Sequence, residues 1–477
     1  GGQAAAELDC WGEVYTGGRV RFRPEDCCNT QLSAFGNLLC WGEGFTFEVC
    51  CASYGAERCS LRHTALTTAL TVALGAAWLI VVALLRTYGG AALPAEGEGE
   101  GEGAERLAVL DNAKFLLSVY VVATHMRLMP ESRMLLADLC GDFAEFHTRT
   151  FCLVSGLVAR EPCGPRAARS LAFRVLAPLL LFCVVLEPGV LRLLRGRQPL
   201  EPAVYARKVL DNLFHAEASS VCWYWFALAC WRLWAFPLAA LRPAARLAAA
   251  LLLSALGGYV KLGQDWVYYS REGAFKMNMA LACFPIFVVG QLFPLRAALR
   301  SVPATGLAKA LGLGLLAASF VAQTGAQGTA FMLDVPSFGW GHVAMQFCST
   351  SGAAVFWLRG LFKNALELTK GLVFLLLCCP RSSGPMAVLG KHSIYPYLLH
   401  PAALDWCRPL VKAAPPASQL LVLPLALTAL LASWPARALF GAFLEPLWLE
   451  RLLAAREGAE QEKHPGAPRA RGEAGGQ

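Results

Sequence analysis

Residues 107–129, LAVLDNAKFLLSVYVVATHMRLM, decide how this chain is read. The stretch is long and apolar enough to cross a bilayer, which takes about 20 residues. It nevertheless carries Asp111, Lys114 and His125 within that length, with Arg127 at its far end, where a long side chain can reach the interface. A charge at membrane depth costs several kcal/mol, so such residues usually line a polar cavity and act there. Lys114 and His125 are eleven residues apart, which puts them on one helical face about 16 Å from each other. Asp111 lies one turn before Lys114 on that face and Ser118 one turn after it. Such a stripe reads either as a functional site or as a buried Asp111–Lys114 ion pair that holds two helices in register.

Composition sets the class. Hydrophobic residues make up 56% of the 477 and charged residues only 16%, where a soluble chain carries nearer a quarter. The expectation is an all-α polytopic membrane protein, with the lipid bilayer as its first partner. The net charge of +8 comes from arginines between apolar stretches, which the positive-inside rule explains, and no basic face with interleaved aromatics points to nucleic acid.

Five regions follow along the chain. Residues 1–60 hold seven cysteines, Cys10, Cys27, Cys28, Cys40, Cys50, Cys51 and Cys59, in an imperfect repeat that opens twice on Cys-Trp-Gly-Glu and ends twice on Cys-Cys. No Cys-x2-Cys pair suggests zinc, so the region reads as a disulfide-stapled lumenal or extracellular module. The opening Gly1-Gly2-Gln3, without Met, fits a processed start or a fragment. Residues 64–86 form an anchor, free of charge from Thr64 to Leu85, 87–106 a Gly/Glu linker, 107–448 a membrane domain and 449–477 a polar tail. Within the membrane domain the apolar runs predict spans over 107–129, 143–159, 175–194, 221–238, 244–260, 275–293, 307–323, 340–357, 388–404 and 420–439, with 372–379 too short to cross. Arg160, Arg166, Arg169 and Arg174 predict a cytoplasmic loop after the second of these, which puts the Cys-rich region on the opposite side.

Several motifs carry a resemblance. Lys114-x10-His125, opened by Asp111-Asn112-Ala113-Lys114, is similar to the basic-x10-His signature of the acyltransferase-3 family of integral-membrane O-acyltransferases. Leu153-Val154-Ser155-Gly156-Leu157 resembles that family's second helix, with His147 and Arg149 near its start, and Trp223-Tyr224-Trp225-Phe226 resembles a later helix start. Phe284-Pro285-Ile286-Phe287 with Gly290 looks like a further family helix, here with Lys276 where Arg is commoner. Residues 388–404, VLGKHSIYPYLLHPAAL, are similar to the Leu-Gly-x-x-Ser, Tyr and His pattern of the penultimate helix. His392 stands there in place of the usual Asn, and Pro396 is expected to kink the helix.

The resemblance implies a bundle of about ten helices, preceded here by the anchor, that transfers an acyl group, most often acetyl from acetyl-CoA, to a hydroxyl of a saccharide or another acceptor, without a metal. It implies His125 as general base, with Lys114 and Asp111 beside it in the catalytic set. Arg149, Ser155, Trp223, Trp225, Ser393, Tyr397 and His400 are the expected acceptor-side residues, and Arg166, Arg169 and Arg174 are expected to hold the charge of acyl-CoA. The competing reading is a multi-spanning transporter in which Asp111, Lys114 and His125 relay protons or anions; the inverted repeats common in transporters are not apparent in the sequence.

Overall fold

The computed structural model describes residues 107–127, 146–159, 165–215, 221–256, 277–325, 361 and 364–452. The Cys-rich region, the anchor, the linker, the expected span over 340–357 and most of the polar tail lie outside the described residues.

The described residues are mostly helical, with no strand among them. The first helix, α1 (Ala108–Arg127), coincides with the polar-striped stretch, and α2 (Phe146–Val158) follows it. The third, α3 (Ala167–Leu194), is long and apolar enough to cross a membrane, by length and composition. It starts before Val175, so Arg169 and Arg174 stand on its first turns instead of on a loop; the apolar run marks where burial begins, not where the backbone coils. π-helical turns interrupt α3 at Ala172–Leu176 and at Phe182–Leu191, the second around Pro188. The next helix, α4 (Pro202–His215), is tied across this turn: the Tyr205 hydroxyl donates to the Val184 carbonyl at 2.5 Å, and Asn212 Nδ2 donates to the buried Glu187 carboxylate at 2.9 Å.

Next come α5 (Trp223–Leu238), α6 (Pro243–Leu256) and α7 (Met277–Leu292). The last of these turns by 66° at Phe293-Pro294 into α8 (Leu295–Ser301). Arg381 closes the C-terminal end of α8 by donating to the carbonyls of Leu299 and Val302 at 2.7 and 2.8 Å. Helix α9 (Gly306–Gly325) packs on α10 (residues 364–378), which takes in the short apolar run over 372–379. The expected continuous helix over 388–404 is two: α11 (Pro385–Gly390), a turn, and α12 (Ile394–Ala413). Pro396 falls in the first turn of α12, where no intrahelical N–H bond is lost, so it does not kink the helix as the sequence suggests. The final run is also two helices, α13 (Ser418–Ala432) and α14 (Trp434–Leu444), bent by 59° at Ser433. Ser433 is extended (φ −79°, ψ 171°) ahead of Trp434-Pro435, a pair that opens α14 with proline in its first turn. Each of the two bent pairs also passes as a span by length and composition when its two helices are taken together.

Helix α1 is the hub: α2, α11, α12 and α13 all pack against it. Two glycine contacts set the closest approaches. Gly156 of α2 faces Gly290 of α7, and a Cβ on either would fall on a backbone carbonyl oxygen of the other helix, that of Phe287 or Leu153. Gly390 of α11 lies against Asp111 so closely that a Cβ there would overlap the Asp111 carbonyl oxygen. The chain thus brings α12 back beside α1, starting from the Asp111 end.

Candidate active site

The polar stripe of α1 resolves into two different places. At its start Lys114 Nζ lies 2.7 Å from Asp111 Oδ1, with the carboxylate 2% and the ammonium side chain 19% exposed. The i,i+3 spacing brings the two together on one face. Asn112 anchors the same turn by donating to the carbonyls of Pro380 and Ser382 at 2.8 and 3.0 Å. The Ser118 hydroxyl returns to the Lys114 carbonyl at 2.8 Å, so it is satisfied within the helix.

Near the other end of α1, imidazoles from three helices gather. The His125 ring stands edge-on to that of His400, with centroids 4.7 Å apart and planes at 70°. His400 is fully buried, and its Nδ1 lies 2.9 Å from the Pro396 carbonyl oxygen. A carbonyl only accepts, so Nδ1 carries the proton and the Nε2 lone pair is left open. That Nε2 is buried and meets no hydrogen-bonding partner among the described residues. Pro401 supplies no N–H, so the carbonyl it would have bonded one turn back, that of Tyr397, loses its intrahelical donor beside His400. His147 of α2 lies within electrostatic range of both: its ring is 5.3 Å from that of Tyr120, and its Nδ1 is buried with no hydrogen-bonding partner among the described residues. Among the described residues no three His, Cys, Asp or Glu side chains come together closely enough to hold a metal ion.

The expected acceptor-side residues separate. Ser155 Oγ and the Tyr224 hydroxyl are 2.9 Å apart, and the Tyr224 and Tyr397 rings lie 5.6 Å from each other, with Phe151 packed edge-on to both. The Tyr397 hydroxyl donates to the Val221 carbonyl at 2.7 Å, which closes the start of α5 onto α12. Trp223 and Trp225 are buried in the packing on either side of Tyr224, whose hydroxyl meets Ser155. Ser393 sits at the start of α12 without capping it, and the neighbouring His392 Nδ1 lies 3.3 Å from Glu445 Oε1. Of the expected donor-binding arginines, Arg169 pairs with Glu450 at 2.7 Å, Arg174 is exposed on the same helix, and the Arg166 side chain lies outside the described residues. Arg149 is 1% exposed and donates from Nε to Asn364 Oδ1 at 3.1 Å.

Asn364 belongs to a row that the sequence reading passes over. Asn364, Glu367 and Lys370 recur every third residue on α10, all buried, with Lys370 Nζ 2.6 Å from Glu367 Oε1. The next residue, Gly371, lies against the Thr150 hydroxyl of α2. The signal was a Glu-x-x-Lys pair directly ahead of an apolar run, the same arrangement as Asp111-x-x-Lys114.

No family model, curated protein or solved structure matches this chain.

Proposed function

We propose that this chain is a multi-pass membrane O-acyltransferase, similar to the acyltransferase-3 family, in which His125 is the general base. The observation that carries the reading is the His125–His400 pair: two imidazoles from different helices meet in a buried site on the helix that also holds the Asp111–Lys114 ion pair. Buried nitrogens without partners are costly unless a ligand completes them, and such places are where catalysis is found.

The reaction then runs as follows. The acceptor hydroxyl, on a saccharide, gives its proton to a His125 ring nitrogen as its oxygen attacks the thioester carbonyl carbon of acyl-CoA. The C–S bond breaks, the acyl group stays on the acceptor as an ester, and the imidazolium returns the proton to the departing sulfur, giving free CoA. His400, held by the Pro396 carbonyl, fixes the His125 ring edge-on and shields it from solvent. Lys114, balanced by Asp111, offers positive charge to the donor from the opposite end of α1. In this reading the end of the bundle with Arg169, Arg174 and Asp111 faces the cytoplasm, where acyl-CoA is found, and the Cys-rich region lies on the other side in an endomembrane or the plasma membrane. Acetyl is the proposed acyl group.

The test is purified full-length protein in detergent, given labelled acetyl-CoA and a panel of glycans. Label on a glycan hydroxyl, released by mild base as an ester should be, supports the proposal. No transfer and no thermal stabilisation by acetyl-CoA, together with Lys114-dependent proton or anion flux in liposomes, would replace it with the relay reading.

A further inference from the structure

Helix α5 contains a cation that acyl transfer does not use. Arg232 interrupts the apolar sequence Ala229-Cys230-Trp231-Arg232-Leu233-Trp234. Its neighbour Trp231 is fully buried and donates from its indole N–H to the Ala280 carbonyl at 2.7 Å, which fixes the rotation of α5. Arg232 therefore reaches toward the first turns of α3, where Nη1 donates to Ser170 Oγ at 3.1 Å. Its Nε is buried and has no partner among the described residues. Arg174, one turn beyond Ser170 and so on the same face of α3, lies close enough for the two guanidinium charges to repel. Neither arginine forms an ion pair with a carboxylate among the described residues. Arg169 does, with Glu450, so the nearest described acid on this side is already engaged.

Two like charges brought together beside an apolar helix, one of them half-buried, are unfavourable without a counter-charge. Nothing in the local backbone forces the arrangement, because an arginine side chain in that helix has free space toward lipid: Leu233 and Phe236, its neighbours along α5, are more than half exposed. We propose that Arg174, Arg232 and Ser170 form a binding site for a phosphate group. Two guanidinium forks and a hydroxyl match the donor geometry that a tetrahedral oxyanion needs. The phosphate can belong to a soluble nucleotide, such as the 3′,5′-bisphosphate part of CoA, or to the headgroup of an anionic lipid in the adjoining leaflet. For a CoA phosphate the inference rests on the acyl-transfer reading, which gives Arg174 to the donor, and adds Arg232 and Ser170 to it; for a lipid headgroup it stands independently of that reading.

The experiment uses the full chain in phosphatidylcholine nanodiscs and follows its thermal unfolding. One arm adds adenosine 3′,5′-bisphosphate, with adenosine as control; the other replaces part of the lipid with phosphatidic acid. Stabilisation of the wild type in the first arm assigns the site to a nucleotide phosphate, and in the second arm alone to a lipid headgroup. In either case Arg232→Gln should weaken the response about tenfold or more in ligand concentration, the scale of losing a charged hydrogen bond, with Arg232→Lys restoring part of it. Arg174→Gln, at an exposed position where folding is not at risk, should weaken it in the same arm. No stabilisation by either probe, or Arg174→Gln and Arg232→Gln responding like wild type, would overturn the assignment.

Discussion

The two ends of α1 solve the same problem in opposite ways. At one end Asp111 and Lys114 neutralise each other at 2.7 Å beneath the tight Gly390 contact; at the other, His125 and His400 meet ring to ring with a buried nitrogen that no described side chain satisfies. A closed ion pair is part of how helices are held in place, and its removal is felt as lost stability. A buried imidazole nitrogen without a partner costs stability and does not add to it, so in the proposed reading its removal is felt in chemistry. The same contrast recurs between α10, where Glu367 and Lys370 close on each other, and α2, where His147 Nδ1 stays open. In the proposed reading the paired charges hold the scaffold, with Lys114 also offered to the donor, and the imidazoles form the site.

That contrast is sharpest in stability. Lys114→Ala takes this cation from the buried Asp111 carboxylate and should cost roughly 3–5 kcal/mol, read as a lower unfolding temperature in detergent, whereas Asp111→Ala should cost less because the Lys114 side chain is partly exposed. The double variant Asp111→Asn with Lys114→Met removes both charges and should recover most of that loss while acyl transfer stays impaired. A double variant as unstable as the singles would show that the pair does not act as a unit. Next in size is Gly390→Ala, which places a methyl on the Asp111 carbonyl and should destabilise by about 1–3 kcal/mol through overpacking. An unchanged melting temperature would mean that α11 does not sit tightly on α1. Smallest in stability is His400→Gln: with no ion pair to break, it should shift unfolding by less than about 1 kcal/mol and still lower acyl transfer roughly tenfold. A large loss of stability in this variant would move His400 from the site to the scaffold.

Much of the helix arrangement was legible in the apolar runs. Helix α1 spans Ala108–Arg127 where the stretch from Leu107 to Met129 predicted it, and α7 and α9 fall within a few residues of their runs. What the runs hid were breaks inside continuous hydrophobicity, at Pro294 and Ser433, where proline chemistry bends the backbone without changing composition. Hydrophobicity also places the start of α3 too late, since its first turns carry arginines that water or an anion can solvate. Of the site, His125 and His400 each stood out as a histidine in an apolar run, but their pairing depends on α12 returning alongside α1, which spacing along the chain does not encode. Asn364, Glu367, Lys370 and Arg232 stayed hidden for a related reason: whether a lone polar residue is buried depends on the helix that faces it.

If His125 is the base, its loss must be read in the rate of transfer and not in the fold. Initial rates of acetyl transfer from acetyl-CoA are compared for wild type and His125→Gln, each first shown to be folded by its melting temperature and by elution as a single species. The expected result is an unchanged melting temperature and a rate at least about 10²-fold lower, the scale of losing a general base. A folded His125→Gln protein that transfers acetyl at close to the wild-type rate would contradict it.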